Sequence, residues 1–237
     1  MLLAAWEEAA TQHPLDRALT LLGAALPAAS RAELAELSVG RRDGLLLELR
    51  ERTYGPRLDG FVGCGRCGAE LELELWTTAL RQAAVPTVAA GDEFEHEGVR
   101  VRFRPLDSRD LAVAAQCADR ASARARLVEQ ALIGAERDGE ALPAAALPPT
   151  VVERLGRELG RLDPESELLL DLTCADCGES WQAPFDVASF LWSEVHASAR
   201  RLLQEVDLLA RSYGWSEPDI LALSPRRRAL YLELAGA

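Results

Sequence analysis

Cys64-Gly65-Arg66-Cys67-Gly68 and Cys174-Ala175-Asp176-Cys177-Gly178 are the two stretches on which the fold turns. Each repeats the unit Cys-x-x-Cys-Gly, which has the spacing of one half of a tetrahedral four-thiolate metal site. The glycine after the second cysteine lets the backbone turn away through a conformation that other residues avoid. A four-cysteine site assembled from both units brings residues near 65 and near 175 together in space. About a hundred residues between them then form an insertion.

The surroundings of both pairs read as strands. Glu70-Leu71-Glu72-Leu73-Glu74-Leu75-Trp76 alternates strictly, with Leu71, Leu73 and Leu75 on one face and the glutamates on the other, the pattern of a half-buried strand. Leu168 to Leu172 runs into the second pair, and Ser180-Trp181-Gln182-Ala183 runs out of it. A strand, a cysteine knuckle and a returning strand, given twice, predict a small antiparallel zinc ribbon. Cys64, Cys67, Cys174 and Cys177 are its ligands and Zn²⁺ is its structural metal. A closed four-thiolate site leaves no coordination position for water and does not by itself support hydrolysis. A dithiol redox pair is the competing reading, but such a pair belongs at a helix N-terminus, where the dipole lowers a thiol pKa. Disulfide bonding and iron–sulfur ligation are further alternatives. Cys117 is left over, on a predicted helix, as a small buried hydrophobe.

Outside the ribbon the chain reads as mostly helical. Leucine and alanine supply much of the 49% hydrophobic content and aromatics only 5%, which favours helix over sheet. Helices are expected through residues 1–54, with Pro14 in a first turn, a Ser30/Glu33 capping box and a stop at Gly55-Pro56. Glu93 to Phe103 predicts a hairpin turning at Glu97-Gly98. Ser108 is placed as the N-cap of one helix reaching about Ile133, residues 134–149 as a loop or linker, and Thr150/Glu153 as a second capping box opening a helix to about Leu162. Asp186 caps a long helix over roughly 187–212, with Phe190, Leu191, Val195, Leu202, Val206 and Leu209 on its buried side. Two short helices follow, in which Ile220, Leu221, Leu223, Leu230, Leu232 and Leu234 are expected to pack inward. The fold class is therefore α+β. Its segments are N-terminal helices (1–56), the first ribbon half with its connection (57–92), an inserted hairpin with helices (93–164), the second ribbon half (165–185) and C-terminal helices (186–237).

The formal net charge is −12, which argues against nucleic acid and anionic membrane as partners. Arg226-Arg227-Arg228 is read as a solvated helix face rather than a nucleic-acid contact; a zinc-ribbon nucleic-acid-binding or regulatory protein is the alternative function. No apolar run is long enough to span a membrane, and the N-terminus lacks the features of a secretion signal, so a cytoplasmic location is expected. His13, His96 and His196 have no metal-spaced partner, and Gly-x-Ser-x-Gly, P-loop and dinucleotide-binding patterns do not occur. The row Glu70/Glu72/Glu74 reads as a solvated strand face.

Several runs resemble the T4-type baseplate hub assembly chaperones of contractile phage tails and phage-tail-like contractile injection systems. They are His13-Pro14-Leu15-Asp16-Arg17-Ala18, the paired Cys-x-x-Cys-Gly units, Arg104-Pro105-Leu106-Asp107-Ser108-Arg109-Asp110-Leu111, and Phe185-Asp186-Val187-Ala188-Ser189-Phe190-Leu191-Trp192 leading into Glu194-Val195. The most specific is Tyr213-Gly214-Trp215-Ser216-Glu217-Pro218-Asp219-Ile220-Leu221-Ala222-Leu223-Ser224-Pro225-Arg226-Arg227-Arg228. The resemblance implies a non-enzymatic role in assembling a baseplate hub, with hub or other tail and injection-system proteins as partners. It also implies a place in the bacterial cytoplasm or in the tail-like particle. Trp192, Trp215 and Tyr231 are candidate binding anchors, with core packing as the alternative for each.

Overall fold

The computed structural model describes residues 2–81 and 91–236. Part of the 77–92 connection thus lies outside the described residues.

Four helices open the chain: α1 (Leu2–Ala9), α2 (Pro14–Ala25), α3 (Arg31–Ala35) and α4 (Val39–Tyr54). Local chemistry sets their starts. His13 caps α2 by accepting from the Leu15 N–H, and Pro14 occupies the first turn. Ser30 and Glu33 form the expected capping box of α3, and Ser38 caps α4. The chain then makes a hairpin of β1 (Arg57–Gly63) and β2 (Glu70–Trp76), followed by one helical turn, α5 (Thr77–Leu80). In the hairpin the expected alternation holds: the three glutamates are exposed and the leucines half-buried.

The insertion is more ordered than its composition suggests. Strands β3 (Asp92–His96) and β4 (Val99–Phe103) pair as predicted. The segment expected to be a linker instead contributes β5 (Leu132–Arg137) and β6 (Glu140–Ala141), completing a four-stranded antiparallel sheet in the order β3-β4-β5-β6. The turn between them is Asp138-Gly139, with φ 51° and 83°. Both positive values match the primed hairpin turn that an Asp-Gly pair favours. The single helix expected from Ser108 to about Ile133 is two, α6 (Ser108–Ala114) and α7 (Arg120–Ala131). Asp107, not Ser108, caps the first, accepting from the N–H groups of Arg109 and Asp110. Asp119 caps the second through Ser122. Aspartate at position 119 satisfies free N–H groups at a helix start better than it serves a helix interior, so the chain restarts there. Cys117 falls in the bend between these helices and is only partly buried, so it is neither helical nor a core residue.

Helix α8 (Pro149–Leu162) packs on the sheet, with Val151 and Leu155 against Val99, Val101 and Phe103. The expected Thr150/Glu153 capping box is absent. Pro148 stands at the N-cap with no side-chain bond, Pro149 fills the first turn, and the Thr150 hydroxyl donates to Glu97 at 2.8 Å. A second hairpin, β7 (Leu169–Thr173) and β8 (Ser180–Pro184), leads into the 27-residue α9 (Val187–Tyr213). The short α10 (Glu217–Ala222) and α11 (Pro225–Leu234) follow.

Three hydrophobic cores result. The first joins α2, α4 and the N-terminal half of α9 through Leu19, Leu22, Leu46, Leu47, Leu191 and Val195. Arg50, buried beside it, makes two bonds to the Glu194 carboxylate at 3.0 and 2.7 Å. The second lies within the insertion. The third is small: Val206, Leu209 and Ile220 under Trp215, Tyr231 and Leu232. The C-terminal leucines do not all turn inward as expected. Leu221, Leu230 and Leu234 are exposed, because Tyr231, Leu232 and Arg228 occupy the inner face of α11.

The insertion is fastened to α4 by a buried polar seam. The Val39 N–H donates to the Leu106 carbonyl at 2.9 Å, and the Gly40 N–H donates to Asp163 Oδ2 at 2.8 Å. The buried Arg42 reaches Ser108. Burial pushes the Asp163 carboxyl up, against the lowering pull of the Gly40 N–H. No side chain fits at Gly40: a Cβ there would meet Asp163 Oδ1 at 2.2 Å and the Ser166 backbone N at 2.8 Å. Gly44, one turn on, faces the flexible end of Glu165. Gly40→Ala is therefore expected to destabilise by about 1–3 kcal/mol through overpacking, although alanine is the better helix former. Gly44→Ala should stay within about 1 kcal/mol of the native protein. Urea unfolding midpoints of the two variants check this, and equal midpoints would contradict the seam as described.

Candidate metal centre

Each Cys-x-x-Cys unit forms the bend of one hairpin, and the two bends are built alike. In the first, the Cys64 N–H donates to the Ala69 carbonyl at 2.8 Å and the Gly68 N–H to the Cys64 carbonyl at 2.9 Å. In the second, Cys174 pairs with Glu179 and Gly178 with Cys174 at the same two distances. Gly68 and Gly178 have φ 76° and 71°, the left-handed region their position in the motif predicts. Strands, not helices, leave both units, so neither has the geometry of a helix-capped redox pair.

The two bends face each other. Cys64 Sγ lies 3.7 Å from Cys177 Sγ, and Cys67 Sγ lies 3.6 Å from Cys174 Sγ. All four sulfurs fall within 4.8 Å of one another. Four sulfurs held tetrahedrally at about 2.3 Å from a shared ion lie roughly 3.8 Å apart. The residues thus fit a metal ion, and they are the four that the spacing singles out. Cys64 and Cys174 are buried, while Cys67 and Cys177 lie nearer solvent. An ion pair across the bends, Arg66 to Glu179 at 3.1 Å, was not foreseen; the only signal was opposite charge in two otherwise equivalent loops.

The electrostatics of the cluster call for a cation. Backbone N–H groups of Cys67 and Arg66 bring Cys64 down to about 7. The N–H of Glu179 favours the Cys177 thiolate, but desolvation and the thiols of Cys67, Cys174 and Cys64 outweigh it and push Cys177 up to about 12. The Ala69 N–H and the Cys177 thiol favour a Cys67 thiolate, yet the Cys174 and Cys64 thiols and desolvation raise that group too. Thiolates this close repel, so without a cation they cannot all ionise together. A bound metal supplies the missing positive charge and expels the protons.

The structure brings no histidine to this centre. His196 Nδ1 accepts from the Trp6 indole N–H at 3.0 Å, in a partly buried position. His13 serves as a helix cap. Strand residues of both hairpins and the start of α9 line an apolar groove of about 250 Å³, with Leu58, Leu73, Leu75, Leu170, Phe185 and Phe190 among its walls. The hairpins form two separate two-stranded sheets, not one continuous ribbon. Among the described residues, no helix is long and apolar enough to cross a membrane. Compared with known proteins, the chain matches no family model, no curated protein and no solved structure.

Metal loading should follow the thiols. Cys174→Ser is expected to lose stoichiometric metal, while Cys117→Ser, outside the cluster, should retain it; elemental analysis distinguishes them. Cys67 and Cys177 both begin protonated near neutrality, so metal binding at about pH 7 should release at least two protons per ion. Affinity therefore falls as pH falls. Calorimetric titration in buffers of different ionisation enthalpy measures the release.

Proposed function

We propose that the protein is a non-enzymatic assembly chaperone or adaptor for the baseplate hub of a contractile injection system or phage-like tail. In this reading the four cysteines hold a structural Zn²⁺. A closed set of four thiolates fits Zn²⁺, whose structural sites need no open position; the same donor set also suits iron, and elemental analysis distinguishes the two. The metal's role is to hold the two hairpins together; the chain's own residues carry recognition.

The observation that supports the assembly role most directly is the C-terminal run from Tyr213 to Arg228. Its aromatic residues pack on each other: Tyr213 stacks on Trp215 with ring centroids 4.7 Å apart, and Tyr231 meets Trp215 edge-on at 4.8 Å. Trp215 and Tyr231 are therefore better placed as local core than as free anchors. Trp192 is also engaged, under the Arg17 guanidinium at 4.8 Å. That leaves the aliphatic positions Leu221, Leu230 and Leu234 as accessible apolar surface on α10 and α11. The nucleic-acid alternative finds less support here, since Arg228 of the basic triplet is bonded to Glu205 at 2.6 Å.

Co-purification of the tagged chain with hub proteins tests the proposal. Leu230→Glu combined with Leu234→Glu should abolish recovery of the partner without changing the circular dichroism spectrum, since both side chains are exposed. Normal formation of sheathed particles after deletion of the gene would refute the assembly role.

A further inference from the structure

Two faces of this molecule are complementary and lie at opposite ends of α9. The outer face of the first hairpin carries Phe61, 66% exposed, with Glu72 directly across the ladder and Glu70 across from Gly63. Arg57 on the same face is bonded to Asp59 and Glu74, so Glu70 and Glu72 have no cation among the described residues. Gly63 has no side chain and leaves the surface hollow beside Phe61.

The outer face of α11 has the opposite character. Helical spacing sets Arg226, Arg227, Leu230 and Leu234 on one side. Leu230 is 51% and Leu234 77% exposed, and Arg226 and Arg227 have no acidic partner among the described residues. The opposite side, with Arg228, Tyr231 and Leu232, is the one that packs on α9.

Within one chain the two faces are held apart. The first hairpin approaches α9 at Phe190, while α11 binds it at Glu205, fifteen residues or about 22 Å further along the helix. Their complementarity is satisfied between copies. We propose that the free protein self-associates head to tail, the Arg226/Arg227/Leu230/Leu234 face of α11 seating on the Glu70/Glu72/Phe61 face of a second copy's first hairpin. Apolar contact at Phe61 and the two leucines is flanked by two charge pairs of matched sign. Because the two patches differ, the contact is heterologous and can continue from copy to copy. The inference does not rest on the assembly reading; a hub protein that uses α11 would compete with the second copy.

Light scattering and sedimentation of the full chain, at concentrations up to about 1 mM, test it. In about 0.1 M salt the mean mass should rise with concentration. In about 1 M salt it should fall toward that of one chain, as the Debye length drops from about 10 Å to about 3 Å. Two charge-reversed variants, Arg226→Glu with Arg227→Glu and Glu70→Lys with Glu72→Lys, should each remain single chains at low salt. Mixed in equal amounts, they should associate again, since each then presents a complement to the other. All four positions are exposed, so unchanged circular dichroism separates loss of contact from loss of fold. A single-chain mass under every condition overturns the proposal. So does a dimer that neither variant disturbs, or a mixture that fails to restore association.

Discussion

Four sulfurs within 4.8 Å of one another close a loop that contains the whole insertion. Ordering the ends of so long a loop costs entropy that grows only slowly with its length. The price of bringing the two bends together is therefore nearly independent of what the insertion contains. What matters is whether the four thiols can share the space. Their mutual repulsion as thiolates opposes this, and so does the cost of burying Cys64 and Cys174; a cation reverses the first of these terms. The two hairpins are separate sheets without a shared ladder, so the cluster is the point at which they meet as equals.

The second fastening is of a different kind. Where α4 begins, the insertion is joined by backbone and buried polar contacts: Val39 to Leu106, Gly40 to Asp163, Arg42 to Ser108. Buried polar groups are costly unless paired, so this seam has one geometry rather than several sliding ones. Cluster and seam therefore divide the task. The thiols bring the insertion's two ends together, and the seam sets how its body lies against the N-terminal helices.

This division explains what could be read from the residues alone. The cysteine spacing, the Leu/Glu alternation of β2 and the capping signals at Ser30 and Asp186 act locally, through the period of a strand or the free N–H groups of a helix start. They were legible for that reason. The break between α6 and α7 was missed although Asp119 marks it, because alanine and arginine on both sides sustain a helical pattern. The β5–β6 hairpin was missed because prolines downstream masked the Asp138-Gly139 turn and because Leu132 to Arg137 shows no clear apolar alternation. It becomes one only by pairing with β4, whose Val99, Val101 and Phe103 are wholly buried. The seam could not be read at all: Gly40 and Asp163 lie 123 positions apart, and nothing near either announces the other.

The same reasoning bears on the C-terminal end. Helix α11 has ten residues and no buried one, too few to be stable as an isolated helix. It is held by Tyr231 and Leu232 against the end of α9, by Arg228 on Glu205, and by the aromatic contacts of Tyr213 and Trp215. Its core comprises only Val206, Leu209 and Ile220, the smallest of the three. Local opening should therefore be easier here than around Leu22, Leu46 and Leu191. Exposed Leu230 and Leu234 fall on this same element, as do Arg226 and Arg227, which have no acidic partner among the described residues. The N-terminal half of the long helix is held in the largest core and by Arg50 on Glu194, while the other end keeps a small core and exposed leucines. Opening at α11 can therefore occur without loosening the core at the other end of α9.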